Sequence, residues 1–253
     1  MSGQVDRAES VSYDRIAGSY DATRGGMERG RRIAGVVAGM LPTDPVLEVG
    51  VGTGLVAAGL AELGRPPVGV DLSLPMLAGA RERIPGRLAV GDALRLPVGT
   101  GTVAGVCLIH VLHLVGDIPA ALAEVARVLR PGGGMVATAF PGEAPPGDVH
   151  EEMVRFQDRT GGRPPVVDVA VVTRLAAEAG FVPAGRHDEP GHEVTPRYAA
   201  DLVEARSNSW MWTVDDATWA REMPPALARL RALPDQDRVR PGPGPAVLAF
   251  RHP

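Results

Sequence analysis

The sequence has a single cysteine, no lysine, and only three tryptophans, three tyrosines and four phenylalanines among 253 residues. A lone Cys107 cannot form an internal disulfide, so a reducing, cytosolic setting suits the chain. All 26 basic side chains are arginine, a bias that goes with abundant Ala, Gly and Pro. There is no surplus of positive charge. The net charge of −4 argues against a nucleic-acid-binding surface, which would show a basic patch or stripe. No apolar run approaches the ~18 residues of a membrane span, and the start, Met1 to Asp6, has neither the basic nor the hydrophobic region of a signal peptide. A soluble, cytoplasmic protein without membrane or nucleic-acid partners is expected.

What is present is a chain 45% hydrophobic and 22% charged, long enough for one good-sized core. Its organising stretch is Val46-Leu47-Glu48-Val49-Gly50-Val51-Gly52-Thr53-Gly54, a short buried strand running into a glycine turn. A helix opens at Leu55. Glycines at alternate positions clear Cβ atoms from the turn, so a ligand can approach the backbone and the first helical N–H groups. The dinucleotide fingerprint G-x-G-x-x-G would need its third glycine at Leu55 and not at Gly54. Glu48 would repel a pyrophosphate, whereas a ligand carrying an ammonium group suits it.

At these residues the chain resembles the class I S-adenosylmethionine-dependent methyltransferases, whose first motif E/D-x-G-x-G-x-G runs without a gap through Glu48 to Gly54. Further matches follow in order. Tyr13 to Asp21 resembles the family's Y-D-x-x-A-x-x-Y-D entry, which folds over the cofactor, and its apolar and aromatic spacing is helical. Asp71 ends a second strand 21 residues after Gly50, where a carboxylate can accept both ribose hydroxyls. Gly91-Asp92-Ala93 with Leu96-Pro97 and Leu129-Arg130-Pro131-Gly132-Gly133 also match, and His110 to Asp117 resembles the exit L-H-H-V-x-D with Leu114 in place of the second histidine. At the start of the fourth strand the family's Phe-Asp is replaced by Val103-Ala104.

The resemblance implies S-adenosyl-L-methionine as cofactor, held by Tyr20, Glu48, Gly50, Gly52, Gly54, Asp71, Leu72, Met76, Asp92, Ala93, Leu94 and His110. Leu72 would lie over the adenine face, and Asp92 would accept the adenine amino hydrogens. A hydroxyl acceptor needs a general base near neutrality, for which His113 and His110 stand at the right strand end. His150-Glu151-Glu152 and His187-Asp188-Glu189 with His192 lack the spacing of a metal site, and no metal is expected.

Strands alternating with helices over 46–140 predict an α/β fold, a doubly wound parallel sheet with helices on both faces; the resemblance implies a Rossmann-like, seven-stranded, mostly parallel sheet with an antiparallel edge. One methyltransferase domain over 1–253 is expected. It comprises an N-terminal helical cap (1–41), a cofactor core (42–140), and a remainder (141–253) with a helical substrate lid at about 195–235 that holds Trp210, Trp212 and Trp219. Three functions stay open. The first is methyl transfer to a small-molecule acceptor, as a secondary metabolite or by quinone-ring C-methylation. The others are NAD-linked oxidation, and retention of fold and cofactor without methyl transfer.

Overall fold

The computed structural model describes residues 13–14, 16–18, 20–23, 25–41, 44–140, 147–161, 167–191, 193–242 and 244–253. The polar start at 1–10, the helix stop at Pro42, and His192 lie outside them. In chain order the elements are α1 (Tyr20–Thr23), α2 (Gly26–Met40), β1 (Val46–Val49), α3 (Leu55–Glu62), β2 (Val68–Asp71), α4 (Leu74–Arg83), β3 (Leu88–Val90) and β4 (Val103–Leu108). A 3-10 turn (Leu112–Leu114), α5 (Ile118–Val128), β5 (Leu129–Ala139), α6 (Asp148–Thr160), α7 (Val169–Glu178) and β6 (Val182–Asp188) follow. The chain closes with β7 (Glu193–Val194), α8 (Pro196–Glu204), α9 (Ser209–Trp212), α10 (Asp216–Ala232), β8 (Arg240–Pro241) and β9 (Ala246–Arg251).

These elements form two compact units. The first takes Met1–Ala139, Val167–Asp188 and Ala246–Pro253; the second takes Phe140–Val166 and Glu189–Pro245. The first holds a seven-stranded sheet in the order β3-β2-β1-β4-β5-β9-β6. Strands β1 to β5 pair in parallel, and β9 runs antiparallel between β5 and β6. The strand order reverses between β1 and β4, and a crevice opens beyond the carboxyl ends of strands at such a point.

Side-chain parity explains how the sheet is covered. Leu47 and Val49 of β1 enter one core with Val106 and Leu108 of β4 and with Leu122 and Val125 of α5. Val46 and Cys107 point to the other face, against Ile33 and Val37 of α2 and Val56 and Leu60 of α3. All six residues of β4 are buried, as expected of a strand covered on both faces. Each fully buried Leu or Val contributes roughly 1.5–3 kcal/mol. Helix starts are capped locally: Oδ1 of Asp117 accepts from the Ala120 amide at 3.0 Å, and Oδ1 of Asp168 from the Val171 amide at 2.7 Å.

One element differs in extent from the sequence reading. The Leu129 to Gly134 stretch, read as a turn, is already strand: Leu129 pairs with Val103, a bulge follows, and Gly134 pairs with Gly105. A Cβ on Gly133 would sit 2.9 Å from the Ala104 carbonyl oxygen, so the glycine is what permits the ladder to continue.

The second unit is helical, with a two-stranded β7–β8 ribbon. The helical stretch read at 195–233 is divided among α8, α9 and α10, and α10 carries Pro224 and Pro225 inside it. Its core centres on the fully buried Phe156, against which Trp210 and Trp219 pack edge-on at 5.6 and 5.5 Å. Trp212 Nε1 donates to the Arg206 carbonyl at 2.6 Å, and the Arg206 guanidinium lies 4.6 Å from the Trp219 ring centre. No helix among the described residues is long and apolar enough to cross a membrane.

Candidate cofactor and active site

At the carboxyl end of β1 the chain turns through Gly50, Gly52 and Gly54, all with positive φ. Three different constraints select these glycines. A Cβ on Gly50 would lie 2.3 Å from Val111 Cγ2, and one on Gly54 would press on Ala80 of α4 at 3.1 Å. A Cβ on Gly52 would meet nothing within 4 Å. Gly50 and Gly54 are therefore glycines for packing, and Gly52 leaves a bare backbone face for a ligand.

Asp71 fastens this turn to the next one. Its Oδ2 accepts from the Gly52 amide at 2.8 Å and its Oδ1 from the Ser73 amide at 2.9 Å. Each carboxylate oxygen keeps a further lone pair for a ligand. Burial holds the Asp71 pKa above the ordinary carboxylate value, against the lowering by the Ser73, Gly52 and Leu72 amides. Oδ1 of Asp92 accepts from the Leu94 amide at 2.9 Å, which shapes the turn after β3.

Above these turns lies a cavity of about 710 Å³. Tyr20, Gly50, Gly52, Asp71, Leu72, Met76, Asp92, Ala93, Leu94 and His110 line it, whereas Glu48, Gly54 and His113 do not. Tyr13, Val49, Ser73, Gly91, Ile109, Val111 and Leu114 to Asp117, none of them among the residues expected to hold the cofactor, complete the lining. His113 sits on the 3-10 turn after β4.

Glu48 faces a smaller hollow of about 50 Å³ that shares Tyr20, Gly50, Gly52, Ile109 and His110 with the larger cavity and includes Arg29. Parity on β1 puts Glu48 there, on the same face as Val46 and α2. Its side chain is 3% exposed, and Oε2 has no hydrogen-bond partner among the described residues. Burial first, and Asp71 second, push its pKa up to about 8.

His110 joins the two spaces. Its φ of 58° is left-handed, rare for a residue with a Cβ, and its amide donates to Thr138 Oγ1 at 2.7 Å. An extended strand alternates its faces, whereas this turn brings the consecutive Ile109, His110 and Val111 to one cavity. The ring Nε2 pairs with Arg29 Nη2. A guanidinium only donates, so in this pairing Nε2 is the accepting atom.

The aromatic wall is Tyr13 and Tyr20, with ring centres 6.2 Å apart. Asp14 pairs with the Ser73 hydroxyl. Asp21 accepts from the Thr53 hydroxyl at 2.5 Å and from Arg83 at 2.6 Å, and Arg83 also donates to the Thr53 carbonyl at 2.6 Å.

Residues 47–137 match the family model described as a methyltransferase domain. A demethylmenaquinone methyltransferase of Mycolicibacterium gilvum is 37% identical over 134 residues, covering 51% of this chain and 58% of that protein. A second, from Beutenbergia cavernae, is matched over 63% of its length, so the chain spans under two thirds of these curated relatives. Among solved structures, the cyclase SpnF superposes with a TM-score of 0.64 at 20% identity, over 96% of this chain and 94% of that one. The phosphoethanolamine N-methyltransferase 2 of Haemonchus contortus, solved with S-adenosyl-L-methionine, superposes with a TM-score of 0.55 at 20% identity, over 90% of this chain and 53% of that one. At such identity these two likenesses establish the fold.

The residues fit the cofactor of that family, S-adenosylmethionine. The free lone pairs of Asp71 suit a ribose diol, the bare Gly52 backbone leaves room beside it, and the orphaned Glu48 oxygen suits an ammonium group. The strand order, the glycine turn and the matched region agree: residues 47–137 are similar to a methyltransferase domain.

Proposed function

We propose that the protein transfers a methyl group from S-adenosylmethionine to a small-molecule acceptor. The observation that carries the reading is the continuity of the Asp71–Gly52 cradle with an apolar cavity in the same unit. The cofactor supplies a methyl on a sulfonium, already activated for displacement. What remains for the protein is to bind, align and keep water away. Ile109, Val111, Leu114 and Val115 give the cavity apolar walls, and His110 stands among them as a polar group. Of the two histidines, we assign the acceptor contact to His110, because it lines the cavity. We assign the cofactor's sugar to Asp71 and its adenine to Leu72, Met76, Asp92, Ala93 and Leu94.

The test is calorimetry with S-adenosylhomocysteine and NAD, followed by mass analysis of acceptor panels for the gain of one methyl. S-adenosylhomocysteine should bind and NAD should not. Tighter binding of NAD would end the reading.

Quinone-ring C-methylation is the second reading, favoured by the identity to demethylmenaquinone methyltransferases over half the chain. The family match ends at residue 137, which favours a more specialised acceptor such as a secondary metabolite. Including demethylmenaquinone in the panel separates the two, and product analysis separates both from cofactor binding without transfer. A cytoplasmic setting without a nucleic-acid partner belongs to the same reading, supported by the net charge of −4.

We also propose that the helical unit sets acceptor choice. Trp210→Leu and Trp219→Leu should lower stability by about 1–3 kcal/mol, since both pack on Phe156. Trp212→Leu, which loses the hydrogen bond to the Arg206 carbonyl, should cost about 1 kcal/mol of stability, keep cofactor affinity and lose turnover. If all three variants changed only stability, the helical unit would have a purely structural role.

A further inference from the structure

β3 is an edge strand of three residues, and the turn after it brings Asp92, Ala93 and Leu94 to the cavity. Two side chains of α5 hold the segment that follows. Glu124 Oε2 accepts from the Leu96 amide at 2.8 Å. Arg127 donates from Nε to Glu124 Oε1 at 2.7 Å and from Nη2 to Oε2 at 2.8 Å. Its other donors reach the loop: Nη2 the Leu96 carbonyl at 3.1 Å, Nη1 the Val98 carbonyl at 2.9 Å and the Thr100 hydroxyl at 3.3 Å. The guanidinium thus spends all five of its N–H groups on this arrangement. An exposed ion pair along a helix contributes little. This pair instead clamps residues 96–100.

The clamp reaches the cavity through Pro97. A Cβ on Gly91 would lie 2.5 Å from Pro97 Cδ and 2.9 Å from Val70 Cγ1, so Gly91 is wedged between β2 and the clamped segment. Its amide donates to the Asp71 carbonyl at 3.1 Å, and Asp92 comes next in the chain. The Arg95 amide then closes the turn on the Asp92 carbonyl at 3.0 Å. Leu96 is buried in one core with Leu122 and Val125 of α5. Position therefore passes from α5 to Leu96 and Pro97, and from these to Gly91 and Asp92.

We propose that Glu124 and Arg127 are positioning residues for base selection: by clamping residues 96–100 they hold Asp92 where it accepts from an amino-substituted purine. The inference rests on the cofactor reading above, in which Asp92 meets the adenine. Neither Glu124 nor Arg127 lines the cavity, so both act through the turn. A purine with a carbonyl in place of the amino group would set one acceptor against another at Asp92. Asp71 is held separately, by the Gly52 and Ser73 amides, so the ribose end is outside the clamp.

The experiment is calorimetry of the full chain with S-adenosylhomocysteine and S-inosylhomocysteine, on the wild type and on Glu124→Ala, Glu124→Gln and Arg127→Lys. The wild type should prefer the adenosyl ligand by at least about tenfold, the worth of one hydrogen bond to a charged acceptor. Glu124→Ala should cut this preference to about threefold or less, by weakening the adenosyl ligand and leaving the inosyl ligand nearly unchanged. Glu124→Gln keeps an acceptor for the Leu96 amide and should retain most of the preference. Arg127→Lys keeps the charge but has too few donors for the five bonds, and it should lose preference too. It carries the test if Glu124→Ala does not fold. Equal weakening of both ligands in the Ala and Lys variants would mark the clamp as structural only and overturn the inference. So would an unchanged preference, or a Glu124→Gln protein no more selective than Glu124→Ala. A wild type binding both ligands alike would overturn the role of Asp92 and this inference, with the cofactor reading left standing. Failure of the wild type to bind either ligand would overturn the cofactor reading itself, and the inference with it.

Discussion

Gly50→Ala is expected to destabilise the sheet-bearing unit by about 2–5 kcal/mol. Two costs add. The backbone at φ 68° is left-handed, which costs a residue with a Cβ roughly 1–2 kcal/mol. The new methyl would also fall 2.3 Å from Val111 Cγ2, and overpacking of this kind costs typically about 1–3 kcal/mol. Val111 lines the cavity beside His110, so moving it should abolish binding of S-adenosylhomocysteine as well. Gly52→Ala is the contrast. At φ 56° it incurs only the backbone cost of about 1–2 kcal/mol, with nothing within 4 Å to strike, yet its methyl stands on the open face of the turn. It should fold with modest loss and still lose the ligand. Urea unfolding and calorimetry on both variants check this. Equal stabilities would mean that Val111 yields freely and that Gly50 is not a packing position.

Glu48 should make the ligand-free protein less stable as pH rises from about 5 to 8. The unfolded carboxyl titrates at the ordinary value of 4.5, the folded one at about 8. Between those values the native state holds a proton that the unfolded state has lost. Stability therefore falls with rising pH across that window, and the loss is complete only above the folded value. The full shift corresponds to an effect on the order of 5 kcal/mol, as an upper bound. Asp71 is shifted in the same direction, so the Glu48 share is read as a difference between two proteins. Glu48→Gln keeps the shape and removes the titration. Its urea midpoint should pull ahead of the wild type steadily between pH 5 and 8. Parallel curves would contradict a protonated, buried Glu48.

Much of this arrangement was legible in the residues. The glycine turn, Asp71 and Asp92 announce themselves because a bare backbone, or a carboxylate at a strand end, is dictated locally. The antiparallel edge formed by β9 and β6 is what the family resemblance implied for the two strands after the parallel run. The hidden parts depend on contacts distant in sequence. Nothing near Gly54 says that Ala80 lies against it, so a packing glycine looks like a ligand-binding one. His110 and His113 look equivalent in a linear motif. The left-handed turn tied to Thr138, 28 residues away, is what separates them. The β7–β8 ribbon has two residues per strand, too few to show any period. The Gly132 to Gly134 run misleads in the other direction, since its glycines serve a bulged ladder and not a free turn. The direction of Glu48, by contrast, was available from strand parity once α2 and α3 were assigned to the face of Val46.

The aromatic wall of Tyr13 and Tyr20 belongs to no strand of the sheet. Among the bonds that hold it are those of Asp14 to Ser73 and of Asp21 to Thr53 and Arg83, of which the ion pair is partly exposed. Those bonds tie it to the glycine turn and to α4, so a change at Asp21 or Arg83 reaches the cavity wall without touching a strand. The lifetime of a bound ligand should therefore respond to substitutions at Asp21 or Arg83 that leave the cavity floor untouched.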